Sequence, residues 1–195
     1  DSFKPSLDTG RSIKYYTNEE IPQNIVSLLN TGRSSETGLL IRNDDLYGLS
    51  YDNGDGTGAA ELYSVPIKYK DKNNRIQFIN TAMVSEPSLL LPASLYDYRN
   101  AANQFKIQYS KSSQIGICVD GAIRLSIPSS SLSASRRGYL AQESNYAGKI
   151  VYPQAFGTGT SVEYINTETG FKENIILDRN IGKNRFEFVF RSDSY

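Results

Sequence analysis

From about residue 39 onward, apolar side chains recur at every second position, and this alternation is what most restricts the fold. A period of two puts one face of each segment in a core and the other in water, which is the pattern of a half-buried strand. Phe105, Ile107 and Tyr109 alternate with Lys106, Gln108 and Ser110. Ile123, Leu125 and Ile127 alternate with Arg124 and Ser126, and Phe186, Phe188 and Phe190 with Glu187, Val189 and Arg191. Turn residues punctuate these runs. Asp120-Gly121 separates Ile115–Val119 from Ile123–Ile127 and is a strong two-residue hairpin signal. Asp71–Asn74 separates Ile67–Tyr69 from Ile76–Ile79, and Thr167–Gly170 separates Val162–Ile165 from Phe171–Leu177. Strands do not alternate with long helices. The expected class is mostly β, with antiparallel hairpins forming a sandwich or packed sheets and one or two short helices.

The clearest helix signal lies near the start of the chain. Pro22 suits a first helical position, Ile25, Leu28 and Leu29 share one face, and Gly32 follows as a stop. Thr17 and Glu20 have capping-box spacing, but a start there would put Pro22 in the second turn. The preferred helix therefore runs from Pro22 to about Asn30. Two stretches interrupt the strand pattern. Residues 86–103 carry Pro87, Pro92 and the Tyr96-Asp97-Tyr98 cluster, with a helical turn read near Arg99–Asn103. Residues 128–147, serine-rich with Arg136-Arg137, read as a long surface loop. Composition does not shift near residue 85, so residues 1–195 are read as one β-rich domain, with 1–45 an N-terminal subregion carrying the short helix. A chain of this length buries roughly 70% of its unfolded surface and can hold a core without staples.

Composition removes several function classes. There is no histidine, hence no Ser-His or Cys-His nucleophile and none of the commonest metal ligand. A single cysteine, Cys118, rules out an internal disulfide and reads as a small hydrophobe within a strand. Lys plus Arg equals Asp plus Glu at 21 each, which gives no electrostatic drive toward nucleic acid. No apolar run reaches the roughly 18 residues of a membrane helix, so no membrane insertion is expected. The chain opens on Asp1 without methionine and closes on Tyr195 just past a strand signal, so it is expected to be a piece of a longer protein.

Few motifs carry chemistry. Asp52-Asn53-Gly54-Asp55-Gly56-Thr57 resembles the middle of a calcium loop, but with Gly56 at the sixth position Tyr51 and Leu62 occupy the first and twelfth. A tight turn joining Leu46–Tyr51 to Ala59–Val65 is the preferred reading. Gly157-Thr158-Gly159 lacks the lysine and following helix of a phosphate loop and reads as a plain loop. Asp44-Asp45 and Glu19-Glu20 read as solvated surface, and no carboxylate pair stands out as an acid–base couple. Fourteen tyrosines, with no tryptophan, are the most suggestive feature, and Tyr15-Tyr16 and Tyr96/Tyr98 could face a sugar or a protein. No residue is assigned a catalytic or metal-ligating role, binding residues are unassigned, and no cofactor is implied.

Three segments together resemble a known family. They are Tyr51–Thr57 with Tyr63–Asp71; Ala102–Lys111; and Ile150–Phe156 with Val162–Tyr164 and Gly170–Leu177. Their order and spacing are similar to the N-terminal region of large secreted, cell-wall-associated YD-repeat (Rhs-like) proteins of Firmicutes. The resemblance spans roughly residues 45–190, and Gly170–Leu177 is its most specific part. The chain departs from the family pattern at Ser161, where an acidic residue is common, and near Ile79, where an aromatic one is usual. The resemblance implies a secreted or cell-surface location and a modular parent whose other modules are its partners. Three functions follow in order of preference: a non-catalytic structural or adhesion module, a carbohydrate-binding module using surface tyrosines on a cell-wall or other polysaccharide, and a hydrolase using carboxylates alone.

Overall fold

The computed structural model describes residues 14, 16–23, 25, 39–85, 95–112, 114–128, 135–136 and 148–192. Within them the chain is almost wholly antiparallel β. Strands β1 (Leu39–Ile41), β2 (Gly48–Asp52) and β3 (Gly58–Leu62) form a three-stranded sheet in that order, and β4 (Lys68–Lys70) pairs with β5 (Ile76–Phe78). Strands β6 (Asn80–Ser85), β7 (Tyr98–Ala102), β8 (Ile107–Tyr109), β9 (Ile117–Val119), β10 (Ile123–Ser126) and β15 (Val189–Ser192) form a six-stranded sheet in the order β15-β10-β9-β8-β7-β6. Strands β11 (Ser135–Arg136), β12 (Lys149–Pro153), β13 (Thr160–Asn166) and β14 (Phe171–Leu177) form a four-stranded sheet in sequence order.

The expected hairpins form for the expected reasons. Asp120 and Gly121 both take positive φ (50° and 77°), and Ala122 N–H donates to Val119 O. The ladder resumes at Val119–Ile123, so Ala122 is one residue more than a two-residue loop holds. At the β4–β5 turn, Asp71 accepts from the backbone N–H of Arg75 and of Asn73 and from the side chains of Gln77 and Arg75, which holds its carboxyl down at about 2. Thr167 N–H donates to Gly170 O to close β13–β14.

Several expectations need correction. Arg99–Asn103 is not a helical turn, because residues 98–102 are strand β7, paired on both sides. The Asn100 side chain decides it: Nδ2 donates to Phe105 O and Oδ1 accepts from Ile107 N–H, so the amide acts as a short piece of ladder. The 128–147 loop is interrupted where Ser135–Arg136 pairs with Ile150 and Val151, its other residues from 129 to 147 lying outside the described set. Phe186 and Phe188 pack on Phe156, but Phe190 on edge strand β15 is 64% exposed. The Thr17/Glu20 spacing caps a single 3-10 turn, Asn18–Glu20, with Thr17 N–H donating to Glu20 Oε2 at 2.7 Å. Most of the Pro22–Asn30 helix lies outside the described residues; Ile25, which is described, is buried.

The core falls into two clusters. Ile25, Leu40, Leu49, Tyr51, Ile67 and Phe78 fill the first, beneath the three-stranded sheet and the β4–β5 hairpin. Because Ile25 and Leu40 share it with residues up to Phe78, the cluster runs across position 45. The second draws on both larger sheets: Met83, Ile107, Tyr109 and Ile117 from one, Ile150, Tyr152, Val162 and Tyr164 from the other. The six- and four-stranded sheets therefore pack as the two layers of a sandwich.

The two layers are tied by buried polar side chains. Between Asn80 and Met83 the β6–β7 register slips by one residue. This bulge leaves Thr81 O to accept from Asn166 Nδ2 of β13 at 2.9 Å. Asn166 Oδ1 in turn accepts from the Tyr109 hydroxyl of β8. Tyr152 of β12 donates to Ser110 O at 2.7 Å.

Candidate functional site

The tyrosines divide by environment. Tyr109 and Tyr152 are fully buried with their hydroxyls bridging the sheets, and burial pushes both phenols well above the usual range. Tyr16 is half-buried, stacked on Phe78 with ring centroids 4.6 Å apart, and the Arg42 guanidinium lies over its face at 4.9 Å. Tyr15 is outside the described residues. Tyr98 packs on the sandwich core with Lys111 Nζ 5.7 Å from its ring centroid, and Tyr96 lies beside Cys118 and Arg124. Burial first, and then the Cys118 thiol, raise the Tyr96 phenol. Among the described tyrosines only Tyr47, at 48%, is well exposed. Tyr16 packs against the first core cluster and Tyr98 against the second, so part of each ring is spent on packing.

Asp52–Thr57 is a turn whose oxygens answer its own donors. Asp52 Oδ1 accepts from Gly54 N–H, and Asp55 Oδ1 accepts from both the N–H and the hydroxyl of Thr57. Gly54 and Gly56 take positive φ (77° and 85°) with no atom near where a Cβ would stand, so the glycines serve the turn. Among the described residues no three His, Cys, Asp or Glu side chains gather to hold a metal ion. Gly157-Thr158-Gly159 is the β12–β13 loop, closed by Thr160, whose hydroxyl donates to Gly157 O and accepts from Phe156 N–H. Cys118 is buried at 2% exposure.

Glu163 and Glu173 are the acidic groups most deeply set in the sandwich. Glu163 stands opposite Asn174 and Glu173 opposite Tyr164, so they project to opposite faces of one sheet. Glu163 accepts from Asn174 Nδ2 at 2.9 Å and pairs with Lys149 Nζ at 2.8 Å. On the other face, the buried Tyr164 Oη and Glu173 Oε2 are neighbours, and neither is hydrogen-bonded to a third group among the described residues. Burial, then the neighbouring Glu173, push the Tyr164 phenol far up. Glu20, as expected, is exposed, and it pairs with Arg42.

Sequence reasoning missed Lys68. A lysine at the start of a short strand reads as surface, yet Lys68 is 0% exposed. Its ammonium donates to Asn43 Oδ1 and Gly48 O, each at 2.8 Å, and sits 5.7 and 5.8 Å from the ring centroids of Tyr16 and Phe78. Burial pushes it down to about 8, against the upward pull of Asp45 and Asp44. With no exposed surface and its donors engaged, this amine ties the 43–48 segment to β4; it is not placed to attack a substrate.

Lys68 has a measurable signature. Its folded value lies below the ordinary lysine value near 10.4, so between about pH 8 and 10 the unfolded chain binds the extra proton. Stability to unfolding should therefore rise with pH across that window, by at most about 1.4 kcal/mol per pH unit. Above about pH 10 the buried tyrosines, whose folded values are raised, reverse the slope. Urea unfolding from pH 7 to 11 should show this maximum. Lys68→Met should flatten the rise and keep the fall, whereas an unchanged rise in that variant would place the titrating group elsewhere.

Comparison with protein-family models, with curated proteins and with solved structures finds no match.

Proposed function

We propose that the chain is a non-catalytic structural or adhesion module of a large secreted or surface-bound bacterial protein. The observation that carries this reading is where the buried polar groups go. Asn166, Tyr109, Tyr152 and Lys68 donate to or accept from groups that hold sheets and loops together. Groups poised for catalysis instead converge on an open cleft with perturbed titration. The three family-like segments support a surface location and a modular parent. One of them, Gly170–Leu177, supplies the outer strand of the four-stranded sheet, a position suited to contact with neighbouring modules of the same chain.

The test compares this chain with a longer form of the protein that carries the flanking modules. The module reading expects no turnover of cell-wall polysaccharide or peptidoglycan by either, and a higher melting temperature when flanking modules are present. Hydrolysis that disappears in Glu163→Gln or Glu173→Gln while the fold is kept would overturn it in favour of the carboxylate hydrolase.

A further inference from the structure

We infer that Asn53-Gly54 is a self-modification site, at which the Gly54 nitrogen attacks the Asn53 side-chain amide, with the Asp52 carboxylate as base, and converts Asn53 through a succinimide into aspartate and isoaspartate. Asn53 is the only asparagine of the sequence that a glycine follows. The attacking nitrogen must close on the side chain of the residue before it, and a residue with no Cβ obstructs that approach least. Asn53 and Gly54 are both exposed in the β2–β3 turn, and no atom lies within 4 Å of where a Cβ on Gly54 would stand.

The proton that must leave already has an acceptor. Gly54 N–H donates to Asp52 Oδ1 at 2.8 Å, within the reach a general base needs. The backbone around this contact is held: Asn53 N–H donates to Thr57 O at 3.1 Å, and Asp55 Oδ1 accepts from Thr57 N–H at 2.9 Å. The Asn53 carboxamide is tied more lightly. Its single hydrogen bond among the described residues runs from Nδ2 to Thr57 Oγ1 at 3.0 Å and is exposed. Water replaces such a bond at small cost, so the side chain is able to turn its carbon toward Gly54.

The reaction needs no oxidant or reductant. A bond forms between Gly54 N and Asn53 Cγ as the Gly54 proton passes to Asp52. The Cγ–Nδ2 bond then breaks, and Nδ2 leaves as ammonia with that proton. Water, the co-reactant, adds to either carbonyl of the cyclic imide and opens it. Addition at Cγ restores the ordinary backbone with an aspartate at 53. Addition at the main-chain carbonyl leaves the backbone running through Cγ, a carbon longer, as isoaspartate. Either product removes the donor to Thr57 Oγ1 and puts a new carboxylate beside Asp52 and Asp55. The Thr57 hydroxyl already donates to Asp55, so it has no proton for the newcomer. The turn thus gains a negative charge, in a chain whose formal net charge is zero, as the molecule ages.

The test holds the full 195-residue chain at neutral pH for several weeks and maps it by tryptic digestion and tandem mass spectrometry. The peptide from Asn43 to Lys68 should gain about 1 Da, localised at Asn53 and not at Asn43, with an isoaspartate there that an isoaspartyl methyltransferase labels. Asp52→Asn keeps an oxygen to accept from Gly54 N–H but removes the base. In the folded chain it should slow the gain at Asn53 by at least about fivefold. In urea, where Asp52 is no longer held on that N–H, the two chains should react within about twofold of each other. Circular dichroism checks that the variant folds; should it not, Asp52→Ser, whose hydroxyl also accepts, takes its place. No gain at Asn53 in the wild-type chain would overturn the inference. So would equal rates in the folded wild type and variant, or a deficit as large in urea as in the folded chain, since the fold would then not be placing the base.

Discussion

Asn166→Ala is expected to cost about 2 to 5 kcal/mol, because one small side chain is the buried link between three strands. Asn166 is 4% exposed and Tyr109 fully buried. Alanine removes the acceptor for the Tyr109 hydroxyl and the donor for Thr81 O together. Each group left buried and unpaired costs about 1 to 3 kcal/mol. For a domain of this size the melting temperature should fall by roughly 5 to 15 °C. Asn166→Asp separates this mechanism from simple loss of packing. Its carboxylate can still accept from Tyr109, but its second oxygen faces the Thr81 carbonyl, acceptor against acceptor. Burial raises such a carboxyl above its unfolded value near 3.9, so the folded state takes up a proton first as pH falls. The deficit of Asn166→Asp relative to wild type should therefore shrink below about pH 5, as the protonated acid regains a donor for Thr81 O. Denaturant unfolding at pH 7 and pH 4 measures both. An alanine variant within about 0.5 kcal/mol of wild type would mean the bridge is not structural.

What the sequence can and cannot show follows from the range of the interactions. The turns at Asp120-Gly121, Asp71–Asn74 and Thr167–Gly170 are readable because their chemistry is local: positive φ at Asp120 and Gly121, or a carboxylate reaching N–H groups two and four residues on. The strands that flank them are readable for the same reason. Arg99–Asn103 misleads because its alanine pair favours helix locally, while β6 and β8 on either side impose a strand. Lys68 is invisible because its partners, Asn43 and Gly48, lie 25 and 20 residues away. The tyrosines look alike in the sequence. A phenol is usually buried only where its hydroxyl finds a partner, and Tyr109 finds one at residue 166, 57 positions on. Tyr16 shows the same range, packing part of its ring on Phe78, 62 positions away in the chain by difference of their numbers. The bulge that aims Thr81 O has no sequence mark at all, since nothing in Asn80–Met83 departs from ordinary strand composition.

Gly148→Ala should be at least as damaging, costing about 3 kcal/mol or more, although it removes no hydrogen-bonding side chain. A Cβ on Gly148 would stand 2.1 Å from Thr81 O and 3.1 Å from its carbonyl carbon. Both are backbone atoms, so no rotamer change relieves the overlap, and β6 must move away from the start of β12. Glycine is needed here for close approach between the two sheets, not for backbone freedom. Gly170 is the control. It lies in the β13–β14 turn with no atom within 4 Å of where a Cβ would stand, so Gly170→Ala should be neutral or stabilising by less than about 1 kcal/mol. The two damaging sites also share a partner. Pushing Thr81 O aside breaks the bond to Asn166 Nδ2, and Gly148 O itself accepts from Asn166 N–H at 2.8 Å. Asn166→Ala and Gly148→Ala thus strip the same junction. In the double variant the costs should fall short of their sum by on the order of 1 kcal/mol. Strict additivity would mean that the Asn166 amide and the Gly148 contact act as separate fastenings, and that the junction between the two sheets is not one cooperative unit.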